Sequence, residues 1–144
     1  MLPDLNENGD LPEGIHRGTV EDVLYRFGSA TLRRAWLSER FRELLEMARN
    51  TNKLRQIFLW GSFVTSKPFP RDIDVFLVMA EDFTVEIVAE DQKMLFNHSQ
   101  ANLRFASDVF WMNAASQEAI ELSLDTFQTR RDGQRRGIVE VVIT

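Results

Sequence analysis

The chain has 144 residues, 44% apolar and 27% charged, with a net charge of −5, which suits one soluble globular domain over residues 1–144 with a single core. The acidic balance argues against a strong non-specific grip on nucleic acid, and the lack of cysteine excludes disulfides, zinc-thiolate sites and a thiol nucleophile. No apolar run approaches the ~18 residues of a membrane span, and the polar start MLPDLNENGD is unlike a secretory signal, so a cytoplasmic protein is expected.

Residues 1–14 hold prolines, glycines and acidic or amide side chains, and read as an extended N-terminal arm. Thr19 can cap a short helix over 19–27, with Asp22 completing a capping box and Gly28 ending it. Residues 29–50 give the clearest helix. Leu32, Trp36, Phe41, Leu44, Leu45 and Ala48 make its apolar face, and Arg33, Arg34, Arg40 and Arg42 read as a solvated face with ion pairs. Two short apolar runs, 57–60 and 75–80, are rich in aromatic and β-branched residues and read as buried strands. Residues 84–101 are ambiguous between helix and short strand, and His98 there has no second histidine at metal-ligand spacing. Residues 105–112, FASDVFWM, read as a third strand with Asp108 as its one charge. Ser116 caps a helix to residue 128, Asp132-Gly133 marks a turn, and 138–143 form the last strand. The four arginines around that turn (Arg130, Arg131, Arg135 and Arg136) either bind phosphate or an acidic partner, or form a solvated loop that discourages edge pairing. This order of elements suits an α+β fold, a mixed sheet with helices mainly on one face.

The chemistry gathers between the first two apolar strands. Asp72 and Asp74 lie two residues apart and so share a face, with Cα atoms roughly 6 to 7 Å apart. At ~6 Å and an effective dielectric near 20 they repel by about 3 kcal/mol. A divalent cation removes that penalty, and oxygen ligands in this number suit Mg²⁺. On the other side of the connection, Gly61 lets a ligand approach the backbone and Ser62 offers a hydroxyl and an N–H. No second glycine followed by Lys-Ser or Lys-Thr is present, so this is not a Walker A loop. Lys67 and Arg71 either meet phosphates or offset the carboxylates. A lone carboxylate within an apolar strand, as at Asp108, is costly unless paired or metal-bound.

An apolar strand, Gly61-Ser62, nine residues, then Asp72-Ile73-Asp74 and a second apolar strand resembles the signature of the DNA polymerase beta-like nucleotidyltransferase superfamily, above all its minimal single-domain prokaryotic members. GSFVTSKPFPRDIDV, together with LPEGIHRGTVEDVLYRFG, is similar to a small prokaryotic family of nucleotidyltransferase-like proteins without a settled function. The resemblance implies a palm-like fold and a nucleoside triphosphate substrate, ATP foremost. It implies Mg²⁺ or Mn²⁺ held by Asp72, Asp74 and Asp108, with Asp108 also helping to deprotonate a hydroxyl acceptor. Gly61, Ser62 and Lys67 would hold the phosphates. Minimal members often accompany a helical toxin and can act as antitoxins that transfer AMP to it, so a partner protein of that kind is expected. Two other readings stay open: a catalytically inactive binding or antitoxin module on the same fold, and a structural protein in which Asp72 and Asp74 end a loop through backbone hydrogen bonds.

Overall fold

The computed structural model describes residues 2–143; Met1, the start of the expected arm, and Thr144 lie outside them. The regular elements are strand β1 (Ile15–Thr19), helices α1 (Val20–Phe27) and α2 (Leu32–Asn50), strands β2 (Leu54–Trp60) and β3 (Ile73–Met79), helix α3 (His98–Phe105), strand β4 (Ser107–Asn113), helix α4 (Gln117–Phe127) and strand β5 (Ile138–Val142). The strands form one mixed sheet in the order β1-β5-β2-β3-β4. β2 runs antiparallel to β3 and β5, whereas β1–β5 and β3–β4 are parallel pairs. This is the α+β architecture expected from the sequence.

Alternation along the strands sorts the side chains into two layers. Ile57 and Leu59 of β2, Ile73, Val75 and Leu77 of β3, and Val139 and Val141 of β5 enter one core with Val23 and Phe27 of α1, Leu37, Phe41 and Leu44 of α2, and Phe105 of α3. Their neighbours Phe58, Phe76, Val78 and Ile138 form a smaller cluster under Ile120 and Leu124 of α4. Three helices therefore cover one face and α4 covers part of the other.

The capping box on α1 forms as its sequence suggests: the Asp22 N–H donates to Thr19 Oγ1 at 3.0 Å and the Thr19 N–H to Asp22 Oδ2 at 3.1 Å. α2 starts at Leu32, later than the expected residue 29, with Thr31 as its N-cap. Phe41, Leu44, Leu45 and Ala48 are buried as expected, and the stripe differs only in the first turns. Leu32 is 91% exposed and Trp36 half-exposed, whereas Leu37 and Arg34 are buried. Residues 84–97 hold two 3-10 turns, Val85–Ile87 and Glu90–Phe96. Phe105 ends α3 instead of opening the third strand: Ala106, at φ +51°, reverses the chain so that β4 begins at Ser107. β1 was not legible as a strand. It is a five-residue edge element, IHRGT, with a glycine in it and no apolar alternation, and it exists through its pairing with β5. Residues 2–14 carry no regular element, but Leu2 and Leu11 are buried in the main core. The Ser66 N–H donates to the Gly9 carbonyl at 2.9 Å.

Candidate functional site

The ladder register brings the carboxylates together. Trp60 of β2, Asp74 of β3 and Asp108 of β4 are successive cross-strand partners, so their side chains stand in a row on the α4 face of the sheet. Asp72 lies one residue before β3. One oxygen from each of Asp72, Asp74 and Asp108 can be chosen so that all three lie within 4.8 Å of one another, and all three residues are half-buried. The loop leading into them is pinned from α2: the Arg33 guanidinium donates to the carbonyls of Pro70, at 3.1 Å, and Arg71.

Crowding sets the electrostatics. Burial pushes the Asp74 carboxyl up to about 7, with the Asp72 and Asp108 charges adding to the shift. Asp72 is also raised, first by burial and then by the Asp108 charge, against an opposing pull from Arg71 and Arg33. Asp72 and Asp74, both held above the usual carboxylate range, and Asp108 beside them bring three sets of carboxylate oxygens to one place. Their donor set is all oxygen, which fits a hard divalent ion such as Mg²⁺ or Mn²⁺ and not a thiolate- or imidazole-preferring metal.

Gly61 and Ser62 open a 3-10 turn, Gly61–Val64, at the end of β2. Gly61 sits at φ +77°, and a Cβ there would come within 2.0 Å of Asp74 Oδ2. The group that approaches this glycine so closely is therefore the Asp74 carboxylate. Arg34 holds the turn from below. It is 2% exposed, and its guanidinium donates to the carbonyls of Phe27 (2.8 Å), Phe63 (2.6 Å), Ser62 (3.3 Å), Thr65 (2.7 Å) and Lys67 (2.6 Å). The solvated role expected for Arg34 is thus overturned. A buried cation is tolerated here because carbonyl dipoles replace its hydration. Burial still holds its pKa below the usual range. Lys67 has an exposed side chain, and its main chain is fixed through Arg34 and Thr65.

Two residues that the sequence reading left without a role meet Asp108. The Asn102 amide donates to Asp108 Oδ1 at 3.0 Å, and His98 Nε2 lies 3.5 Å from the same oxygen. They are four apart on α3, a spacing that puts them on one helix face; that spacing beside Asp108 was the available signal. With Arg71, Asp72, Ser99 and Leu103 they line an open cleft of about 570 Å³. A hollow of similar volume, about 590 Å³, lies elsewhere, among Thr19, Glu21, Arg42, Glu46 and Arg49. It contains none of the three aspartates.

The arginines near residue 133 do not guard a sheet edge. β5 lies between β1 and β2, and the edges are β1 and β4. Arg130 pairs with the buried Asp10 at 2.7 Å, and Arg135 pairs with Glu13 at 2.9 Å and Asp125 at 2.8 Å. Arg136 reaches Asp10 only at 3.9 Å, and its positive charge opposes the upward shift of Asp74.

The chain matches, over residues 3–142, the family described as "Family of unknown function (DUF6932)", and it belongs to that family. No curated protein matches it. Among solved structures it is similar to a chain of the tri-AMPylated Shewanella oneidensis HEPN toxin in complex with MNT antitoxin, at 17% identity and a TM-score of 0.36. That similarity covers 59% of this chain and 61% of that one, less than two thirds of its length.

Proposed function

We propose that the protein is a metal-dependent nucleotidyltransferase that moves a nucleoside monophosphate from a triphosphate to a hydroxyl acceptor, as the motif resemblance implies. The observation that carries this reading is the convergence of Asp72, Asp74 and Asp108 beside the Gly61–Val64 turn. Asp72, Asp74 and Asp108 would hold Mg²⁺ or Mn²⁺. When bound, such an ion supplies charge neutralisation at the phosphate oxygens as negative charge moves in the transition state.

The chain's own residues do the remaining work. Gly61 and Ser62 present main-chain and hydroxyl groups to the phosphates, on a turn that Arg34 keeps from moving. Lys67 adds a positive charge from the exposed loop. The Asn102 amide holds one oxygen of Asp108, with His98 Nε2 3.5 Å from it, which orients this carboxylate to accept the acceptor's proton. The acceptor enters the open cleft, whose wall includes Leu103, 87% exposed. An exposed apolar side chain at the rim suits an acceptor hydroxyl carried on a partner protein, the toxin–antitoxin-like arrangement that the motif resemblance implies.

The test is thermal unfolding with ATP, GTP, CTP and UTP, each with and without Mg²⁺ or Mn²⁺, on the wild type and on Asp72→Ala. A nucleotide at ~100 times its dissociation constant adds about 2.7 kcal/mol of stability. The expected result is a shift that needs both the metal and Asp72, with ATP giving the largest. A wild type that responds to no nucleotide, or responds as Asp72→Ala does, overturns the reading.

A further inference from the structure

We propose that Arg136, backed by Arg130, is a phosphate-binding residue that receives the outer phosphates of the nucleotide and holds the pyrophosphate as it leaves. The inference rests on the nucleotidyl-transfer reading and assigns that site a contact from the far end of the chain.

Position comes first. β5 is antiparallel to β2, with Leu59 opposite Val139, so the residues before Ile138 lie where β2 gives way to the Gly61–Val64 turn. The backbone there is held from two sides: the Arg136 N–H donates to the Gln128 carbonyl at 2.8 Å and the Gly137 N–H to Leu11 at 2.9 Å. Two ladder spacings separate β3 from β5, about 10 Å. A triphosphate starting at the aspartates and an arginine side chain reaching towards it can together span that distance.

Partnership comes second. Arg136 Nε is buried with no hydrogen-bond partner among the described residues, a costly state for a polar group. Its ion pair to Asp10 Oδ1 is long at 3.9 Å, whereas Arg130 holds Asp10 Oδ2 at 2.7 Å. Arg130, Arg131, Asp132 and Arg136 line a hollow of about 290 Å³ with positive charge in excess. Arg136, at this hollow, acts electrostatically on Asp74, so the aspartates and the arginines match the two ends of a metal–triphosphate: carboxylates for the cation, a guanidinium fork for phosphate oxygens.

In the step itself, the acceptor oxygen bonds to the α-phosphorus and its proton passes to Asp108. The bond from that phosphorus to the bridging oxygen breaks, and its electron pair departs with pyrophosphate, whose added charge Arg136 meets.

The experiment is calorimetric titration of the full chain with inorganic tripolyphosphate and with orthophosphate, both without metal, followed by competition with MgATP. The wild type should bind tripolyphosphate more tightly than orthophosphate, and MgATP should displace it. Arg136→Gln should weaken tripolyphosphate about tenfold or more, with Arg136→Lys in between. If Arg136→Gln does not fold, Arg136→Lys decides, since loss of the fork alone should still weaken binding. Binding unchanged in these variants overturns the assignment, and so does tripolyphosphate that MgATP fails to displace. If MgATP binds in an Asp72-dependent way while Arg136 proves irrelevant, this inference falls and the nucleotidyl-transfer reading stands. If tripolyphosphate binds through Arg136 but no nucleotide responds to metal or Asp72, that reading falls and the leaving-group role falls with it.

Discussion

On the face covered by α1, α2 and α3, Ile57, Leu59, Ile73, Val75 and Leu77 are all buried and apolar. On the α4 face the same two strands bury Phe58, Phe76 and Val78, and then carry Trp60 and Asp74. α4 ends there: its last residue, Phe127, stacks on Trp60 with ring centroids 3.8 Å apart. One face is thus covered by three helices, while the other is covered only in part and keeps three aspartates at its uncovered end. The contrast sets the candidate site apart from the core. A carboxylate on a sheet costs little to pack where no helix lies over it, yet its neighbours still strip away enough water to raise its pKa. Substituting one face at a time separates what the faces do.

The largest effect should come from the open face. Asp74→Asn should abolish nucleotide transfer, by roughly a thousandfold or more, about 4 kcal/mol of transition-state stabilisation, while the circular dichroism spectrum stays native. A rate within tenfold of wild type, measured with labelled nucleotide and the acceptor in hand, would remove Asp74 from the mechanism. Phe41→Ala, on the closed face, should do the opposite. It empties a fully buried site on α2 and should lower unfolding stability by about 3 to 5 kcal/mol, leaving metal-dependent nucleotide binding intact at temperatures where the variant is folded. Denaturant titration reads the first effect and calorimetry the second.

The buried strands and the helix-covered face were legible because periodicity reports burial. The runs at 57–60 and 75–80 read as buried strands, and Asp72, Asp74 and Asp108 stood out as charges in apolar surroundings. Their meeting in space depended on β4 pairing with β3 in register, Asp74 opposite Asp108, which no local pattern encodes. Arg34 was misread for a related reason. On a helix its charge looks like a solvated position, and only the turn of residues 61–67 folding over it supplies the carbonyls that make burial tolerable. β1 escaped because it takes its place from β5, a long-range neighbour.

Gly61→Ala sharpens the contrast at an intermediate size, since it touches the open face without removing a charge. The left-handed φ costs an alanine about 1 to 2 kcal/mol, and the new methyl group would meet the Asp74 carboxylate. Melting temperature should fall modestly. The larger loss should be in Mg²⁺ or Mn²⁺ affinity, because Asp74 must turn aside. An unchanged metal titration would mean that Asp74 is not positioned by this glycine.

The smallest effect is a pH dependence, and its sign is unusual for a carboxylate. Asp74 titrates near 7 in the folded chain, against about 3.8 in its ordinary range. Between those values the native state binds more protons than the unfolded state, so metal-free stability falls as pH rises through the window and levels off above it. The full shift would correspond to about 1.4 kcal/mol per unit; with solvent access to the half-buried group, a loss of about 1 to 2 kcal/mol from this residue between pH 5 and pH 8 is expected. Asp74→Asn should flatten that slope and be the more stable form at pH 8 without metal. Saturating Mg²⁺ should stabilise the wild type at pH 8 more than at pH 5, because the ion competes with the proton for the same oxygens. Melting curves at the two pH values, with and without Mg²⁺, check all three; a wild type whose metal-free stability rises with pH across the window as Asp74→Asn stays level would place Asp74 outside the crowded cluster.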